Sequence, residues 1–273
     1  MPEGESNERS DRERRLGEQS ADTSDKAIAH GRLVLRAAAS AVPDFAFLLE
    51  WFGLGARARR WIHRQKGRAI DGPAVLLLPG VYENPHFLDP FAALGLACGR
   101  PVHVVGRLGL NRSPVLTAAE VAAAYLEQSD LDDVTIIAHS KGGLVGKQLM
   151  TWEHTGSRIA RMIAIATPFS GSAFAQGMPD SALRIFAPSD TTLLDLGADR
   201  RANDRIVSIF PSFDPLILEG SALPGAEANV RLPGSGHFHV LGHPELWRLL
   251  RGALRGVDVW SSVPAGDRVS GTR

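Results

Sequence analysis

Ser140 lies where a short β-branched run meets a helical pattern, in the stretch Val134-Thr-Ile-Ile-Ala-His-Ser-Lys-Gly-Gly-Leu-Val-Gly146. The order reads as strand, sharp turn, helix, with the serine at the apex. Such a turn forces its apex residue into a strained backbone and brings strand and helix close together, so the side chains two before and two after must be small. Ala138 and Gly142 meet that demand, and the segment A-H-S-K-G departs from the usual G-x-S-x-G by a single methyl group. A turn of this kind lifts the serine hydroxyl clear of the sheet and aims the Lys141 N–H at the place where an oxyanion would form. The chemistry this suits is nucleophilic attack, and a serine hydroxyl needs a base within reach and an acid to hold the base's tautomer.

Both partners must lie on loops that follow strands. Asp214, in Pro211-Ser-Phe-Asp-Pro215, follows an apolar run ending near Phe210, the place required of the acid; its plainer reading is a turn aspartate before a proline. Asp190, Asp195, Asp199 and Asp204 precede that run, and Glu219 is the next alternative. Three histidines compete for the base in Gly234-Ser-Gly-His237-Phe-His239-Val-Leu-Gly-His243. His243 precedes Pro244 and reads as a helix start, and His239 reads as a polar loop neighbour. His237 follows the most flexible backbone and is the preferred base. A second oxyanion donor is expected in the loop after Leu76-Leu-Leu-Pro-Gly80, from the N–H of Val81, with that of Tyr82 as the alternative.

These residues must be positioned by alternating strands and helices. Apolar runs at 74–78, 102–105, 134–138, 162–166, 206–210 and 229–232 are apolar on consecutive residues, as parallel strands covered on both faces are. Helices are expected from a Thr117-x-x-Glu120 capping box, from Gly143 to about Glu153, and from Pro244 to Leu254. The order points to a doubly wound, mainly parallel six-stranded sheet with helices on both faces, whose ligands bind beyond the carboxyl ends of the strands. Residues 171–203 form a longer insertion, read equally as a small cap or as a helix with loops on the sheet face.

The remaining segments divide by composition. Residues 1–30 are charged and poor in large apolar side chains, and are expected to be a disordered polar tail. Residues 31–68 form an amphipathic, Arg-rich helical arm, with Phe45, Phe47, Trp51 and Phe52 preceding Arg57, Arg59, Arg60 and Arg64. The preferred reading packs this arm on the domain; the other lays it on an anionic membrane surface as a peripheral contact. Residues 69–257 are the main domain and 258–273 a C-terminal tail. Thirty basic and thirty acidic residues balance, which gives no electrostatic reason to expect nucleic acid as a partner. A single cysteine, Cys98, excludes an internal disulfide framework and cannot alone make a zinc site. The first thirty residues contain no apolar stretch like a secretory signal, so a cytoplasmic location is expected.

Taken together, Ala138–Gly142, Thr167-Pro-Phe-Ser-Gly-Ser172, Ser208–Asp214 and Gly234–Leu241 resemble the compact bacterial lipases and esterases of the α/β-hydrolase fold. The resemblance spans roughly residues 74–254. It implies Ser140 as nucleophile, His237 as base, Asp214 as orienting acid, and Val81 with Lys141 as backbone oxyanion donors; the chain order Ser, Asp, His is the one that fold uses. The oxyanion loop has Pro79-Gly80 where these lipases commonly show His-Gly. The implied activity is cleavage of a small acyl ester or lipid, with no metal or cofactor. Thioesterase or acyltransferase chemistry on the same residues, and a non-catalytic binding module, are the alternatives.

Overall fold

The structure is a computed structural model that describes the backbone of residues 4–65, 70–264 and 266–269, with side chains from Gly31 onward except Val34. Six strands, β1 (Val75–Leu78), β2 (Val102–Val104), β3 (Val134–His139), β4 (Ile159–Ile165), β5 (Ile206–Phe213) and β6 (Ala228–Ser235), form one sheet in the order β2-β1-β3-β4-β5-β6. Every neighbouring pair is parallel. All six apolar runs of the sequence therefore appear as strands. The helices are α1 (Gly4–Arg64), α2 (Asp89–Ala97), α3 (Val115–Gln128), α4 (Lys141–Thr151), α5 (Glu153–Gly156), α6 (Ser181–Arg184), α7 (Thr191–Ala198) and α8 (Pro244–Leu254).

Successive strand residues feed two cores. On one face Leu76, Ile136 and Met162 pack with α3, α4 and α7; on the other Leu77, Ile137 and Ile163 pack with α2, α8 and Trp51 of α1. This is the pleat's period of two, and it explains why the strands read as unbroken apolar runs.

Some boundaries differ from expectation. The Thr117 capping box does not cap: α3 starts at Val115 behind Pro114, with no side-chain cap. The proline, which supplies no N–H, already marks the boundary. The helix after the serine begins at Lys141 instead of Gly143, because the turn is completed by Ser140 itself. Helical backbone runs from Gly4 where a disordered tail is expected, continuous with the arm; residues 1–3 and the side chains of 4–30 lie outside the described residues. The segment after 257 covers the outer edge of β6: Val259, Trp260 and Val263 are buried. Arg231 N–H donates to Asp267 O at 2.8 Å and Val269 N–H to Asn229 O at 3.0 Å. An open strand edge would otherwise template pairing with another chain.

One side chain of α4 is placed at a cost. Lys147 is buried, and its ammonium has no hydrogen-bond partner among the described residues. Burial pushes its pKa down to about 8, against the opposing pull of Asp199. Below that value the folded chain carries a charge it solvates poorly; between it and the ordinary lysine value only the unfolded chain is protonated, so stability rises with pH across that window. Lys147→Met should raise unfolding free energy near neutral pH by about 1–3 kcal/mol, a gain that shrinks towards about pH 10; urea denaturation at the two pH values checks it.

Candidate active site

The elbow is built as its sequence requires. Ser140 has φ 51 and ψ −122, a conformation an L-residue adopts only when its surroundings enforce it. Its N–H donates to Ile165 O at 2.9 Å, tying the apex to β4. Behind it, a Cβ added at Gly142 would lie 2.0 Å from the carbonyl oxygen of Leu78, so only glycine lets α4 pass β1 this closely. The side chain of Ser140 lines a cavity of about 410 Å³ at the carboxyl ends of the strands. Its hydroxyl makes no hydrogen bond among the described residues; bonds between such groups commonly tighten only when substrate binds.

His237 lies just beyond β6 and lines the same cavity. Its Nδ1 is 2.8 Å from Asp214 Oδ2, and both side chains are almost wholly buried. Asp214, immediately after β5, is held in turn: its Oδ1 accepts from Leu216 N–H at 2.8 Å and Ile217 N–H at 3.1 Å. With Nδ1 given to the carboxylate, Nε2 is the nitrogen left for an incoming group. Burial opposes the imidazolium of His237, but the charge and hydrogen bond of Asp214, with the charges of Glu83 and Asp44, outweigh it and raise the pKa above the ordinary histidine value.

Most of the competing residues are engaged elsewhere. The His239 ring stacks on Phe47 at 4.7 Å between centroids, and His243 caps α8 by accepting from Glu245 N–H at 3.1 Å. Asp190 caps α7, Asp199 pairs with Arg201, and Glu219 accepts from Ala173 N–H.

In the loop after β1, Tyr82 N–H donates to Leu110 O at 2.7 Å, which removes it as an oxyanion donor. Gly80 N–H donates to Glu83 Oε2 at 2.5 Å. The N–H groups of Val81 and Lys141 have no acceptor among the described residues. The lysine side chain does something its sequence does not announce: buried, with its pKa pushed down to about 8 by desolvation, it donates from Nζ to Asn111 O at 2.7 Å and to Ser113 O. Asn111 Nδ2 donates to Pro79 O at 2.7 Å, so the lysine after the serine braces the loop that carries Val81.

Sequence reasoning missed two further carboxylates. Glu83 Oε1 is 2.6 Å from Nδ1 of His139, the residue preceding the serine, and His139 Nε2 is 3.2 Å from the carbonyl oxygen of His237. A buried path thus joins the loop after β1, the elbow and the histidine loop. Asp44 of α1, almost fully buried, accepts from three consecutive N–H groups, those of His237 at 2.7 Å, Phe238 at 2.9 Å and His239 at 2.7 Å. A Cβ at Gly236, whose φ is +121, would meet Asp44 Oδ1 at 2.5 Å. The only sequence hint was an acid inside an aromatic stretch.

The cavity wall is mostly apolar, with Phe45, Leu48 and Phe52 from α1 and Phe174, Met178 and Phe186 from the insertion, beside the polar Asn84 and Ser172. The insertion is tied to the opposite wall through Tyr82, whose hydroxyl donates to Asp180, the cap of α6. No cluster of three or more metal-ligating side chains occurs among the described residues.

Among solved structures, the mature lipase BlEst2 of Bacillus licheniformis is similar with a TM-score of 0.53 at 12% identity, over 69% of this chain and 96% of its own. Lipase B of Aspergillus fumigatus is similar with a TM-score of 0.50 at 19% identity, over 67% of this chain and 52% of its own. An extracellular α/β-hydrolase of a Paenibacillus species overlaps with a TM-score of 0.47 at 15% identity, over 67% and 99% of the two chains. No protein-family model and no curated protein matches the sequence. The protein has the α/β-hydrolase fold, with the all-parallel six-stranded sheet already described.

Asp44→Ala should lower stability by about 3 kcal/mol, because it removes the charge that three N–H groups, one buried and two part-buried, now bond to. Asp44→Asn should lower the titration midpoint of the His237 ring, since one of the negative charges that raise it is removed. Thermal denaturation and histidine-ring NMR check the two outcomes.

Proposed function

We propose that the protein is a serine hydrolase that cleaves a carboxylic ester through an acyl-enzyme on Ser140, in the manner of a lipase or carboxylesterase. The observation that carries this reading is the convergence on one apolar cavity of a strained serine, a histidine already paired to a buried aspartate, and two unengaged backbone N–H groups. His237 Nε2 takes the proton of Ser140 as its Oγ attacks the ester carbonyl carbon. The oxygen that becomes negative is met by the N–H groups of Val81 and Lys141. Collapse expels the alcohol, which receives the proton from His237 and leaves the acyl group on Ser140. Water then attacks that acyl carbon, gives its proton to His237, and departs within the carboxylic acid as the serine regains its hydrogen. Asp214 holds Nδ1 protonated and steadies the imidazolium at both steps. Every bond and proton is accounted for by Ser140, His237, substrate and water, so the cycle calls on no metal or cofactor.

The aromatic and aliphatic wall supports an acyl chain as the group bound, because such a surface gains from covering hydrocarbon and offers little to a polar one. The raised pKa of His237 sets the pH dependence: the base works when neutral, so kcat/KM should fall as pH drops through a midpoint above about 6.5.

Folded protein treated with a fluorophosphonate should carry the adduct on Ser140, read by mass on the proteolytic peptide. Ser140→Ala and His237→Ala should each lower kcat on p-nitrophenyl esters by about 10⁴-fold or more, with the double variant scarcely worse. An unlabelled Ser140 on folded protein, or full activity in Ser140→Ala, would sink the reading.

A further inference from the structure

The arm helix leaves one face without a partner. Leu35, Val42, Phe45, Leu49 and Phe52 are exposed and recur at the spacing that places side chains along one side of a helix, with Leu49 78% and Val42 74% exposed. Isolated exposed apolar residues are ordinary, but a run of them on one helix face is not. The stripe continues into the active site, since Phe45 and Phe52 are half exposed and also line the cavity that holds Ser140. Beyond its end Arg57, Arg60 and Arg64 are exposed and have no acidic partner among the described residues, whereas Arg59, turned towards the domain, pairs with Asp89 at 2.7 Å. Arg60 follows Val42 by about five helical turns and so lies on the same side. Glu50 is the one exposed acid between residues 31 and 64, Asp44 being buried under the histidine loop.

We propose that this face of α1 docks on an anionic lipid bilayer and seats the mouth of the cavity against it. Aromatic and aliphatic side chains beside unpaired arginines suit the boundary between acyl chains and charged headgroups. The contact is a surface one, because no helix among the described residues is long and apolar enough to cross a membrane. A second copy of the chain paired in parallel fits the same face poorly, because the Arg57–Arg64 stretch would meet its own copy and set basic against basic. An antiparallel copy centred on the stripe is the other occupant, and the oligomeric state decides against it or for it. That the docked lipid is also the ester cleaved rests on the proposed function; the docking does not.

Sedimentation of the full chain with phosphatidylglycerol-rich vesicles, and separately with phosphatidylcholine vesicles, tests the surface. The protein should pellet with the first and much less with the second, and added salt should weaken the difference. Val42→Gln with Leu49→Gln should reduce vesicle binding at least about tenfold, counting the loss of two buried aliphatic side chains. Arg57→Gln, Arg60→Gln and Arg64→Gln together should reduce it on the order of a hundredfold, at about fivefold per charge. Neither set touches the cavity, so unchanged melting and unchanged hydrolysis of a soluble short-chain p-nitrophenyl ester show that the variants are folded. If no variant hydrolyses that ester and the parent does not either, the proposed reaction fails while vesicle binding still decides the docking. The proposal is overturned if the parent does not pellet, or if the variants pellet as the parent does. A dimer seen by light scattering that Val42→Gln with Leu49→Gln dissociates would overturn it as well, by making the stripe an interface between copies.

Discussion

Everything in the site depends on how closely α4 passes β1. The two come near enough that a single methyl at Gly142 would meet the Leu78 carbonyl at 2.0 Å, and the chain between β3 and α4 must therefore reverse within one residue. Ser140 takes that reversal in a backbone conformation with positive φ, which it could not hold in an open loop. What restrains it is a pair of packed cores on either side of a parallel sheet, with Ala138, Leu144 and Val145 around the turn fully buried. The strain at one atom is thus supported by the packing of the whole domain, and the reward is a hydroxyl that stands free at the strand ends instead of being spent on a local hydrogen bond.

Around that hydroxyl, buried carboxylates do the positioning. Asp214 fixes the ring of His237, Glu83 joins Gly80 to His139, and Asp44 gathers the backbone of residues 237–239. Each has its oxygens engaged by N–H groups or an imidazole, which is how a charge survives away from water. Their arrangement also has an electrostatic consequence. Three negative groups bear on one histidine that burial alone would hold neutral, and their sum overrides the desolvation. A ring that accepts a proton readily and then stabilises the charge is suited to shuttle it, at the expense of activity in acid.

The sequence made part of this legible. The six strands, Ser140, Asp214 and His237 could be read because each announces itself locally, by an apolar run, by small residues around a serine, or by a chemically suited side chain just past a strand end. Choosing His237 over His239 came from glycines before it, and in the structure the rejected ring is occupied by stacking on Phe47. Glu83 and Asp44 could not be read in the same way. Their partners are mostly backbone N–H groups or a histidine distant in sequence, 193 residues away for Asp44 and His237, and no side-chain pattern records a bond to backbone. Lys141 was half legible: the motif points to its amide, but its ammonium braces Asn111, a loop with no motif of its own. Tyr82 stood second to Val81 on sequence, and the Leu110 carbonyl that occupies its N–H removes it.

The arm illustrates a further limit of pattern reading. Sequence periodicity presents packing on the domain and facing a membrane as rival uses of one apolar surface. In three dimensions α1 has enough circumference for two faces. One carries Ala37, Asp44 and Trp51 inward, with the Trp51 indole donating to Phe87 O at 2.9 Å. The other carries Val42 and Leu49 outward. Phe45 and Phe52 sit on the border between them, half exposed and lining the cavity. A helix that buries the carboxylate holding the histidine loop cannot swing away without exposing that charge's three N–H partners, so the wall it forms is tied to the position of His237. A displacement of α1 would reach the loop of residues 237–239 through those bonds, whereas a contact that leaves α1 in place leaves them made.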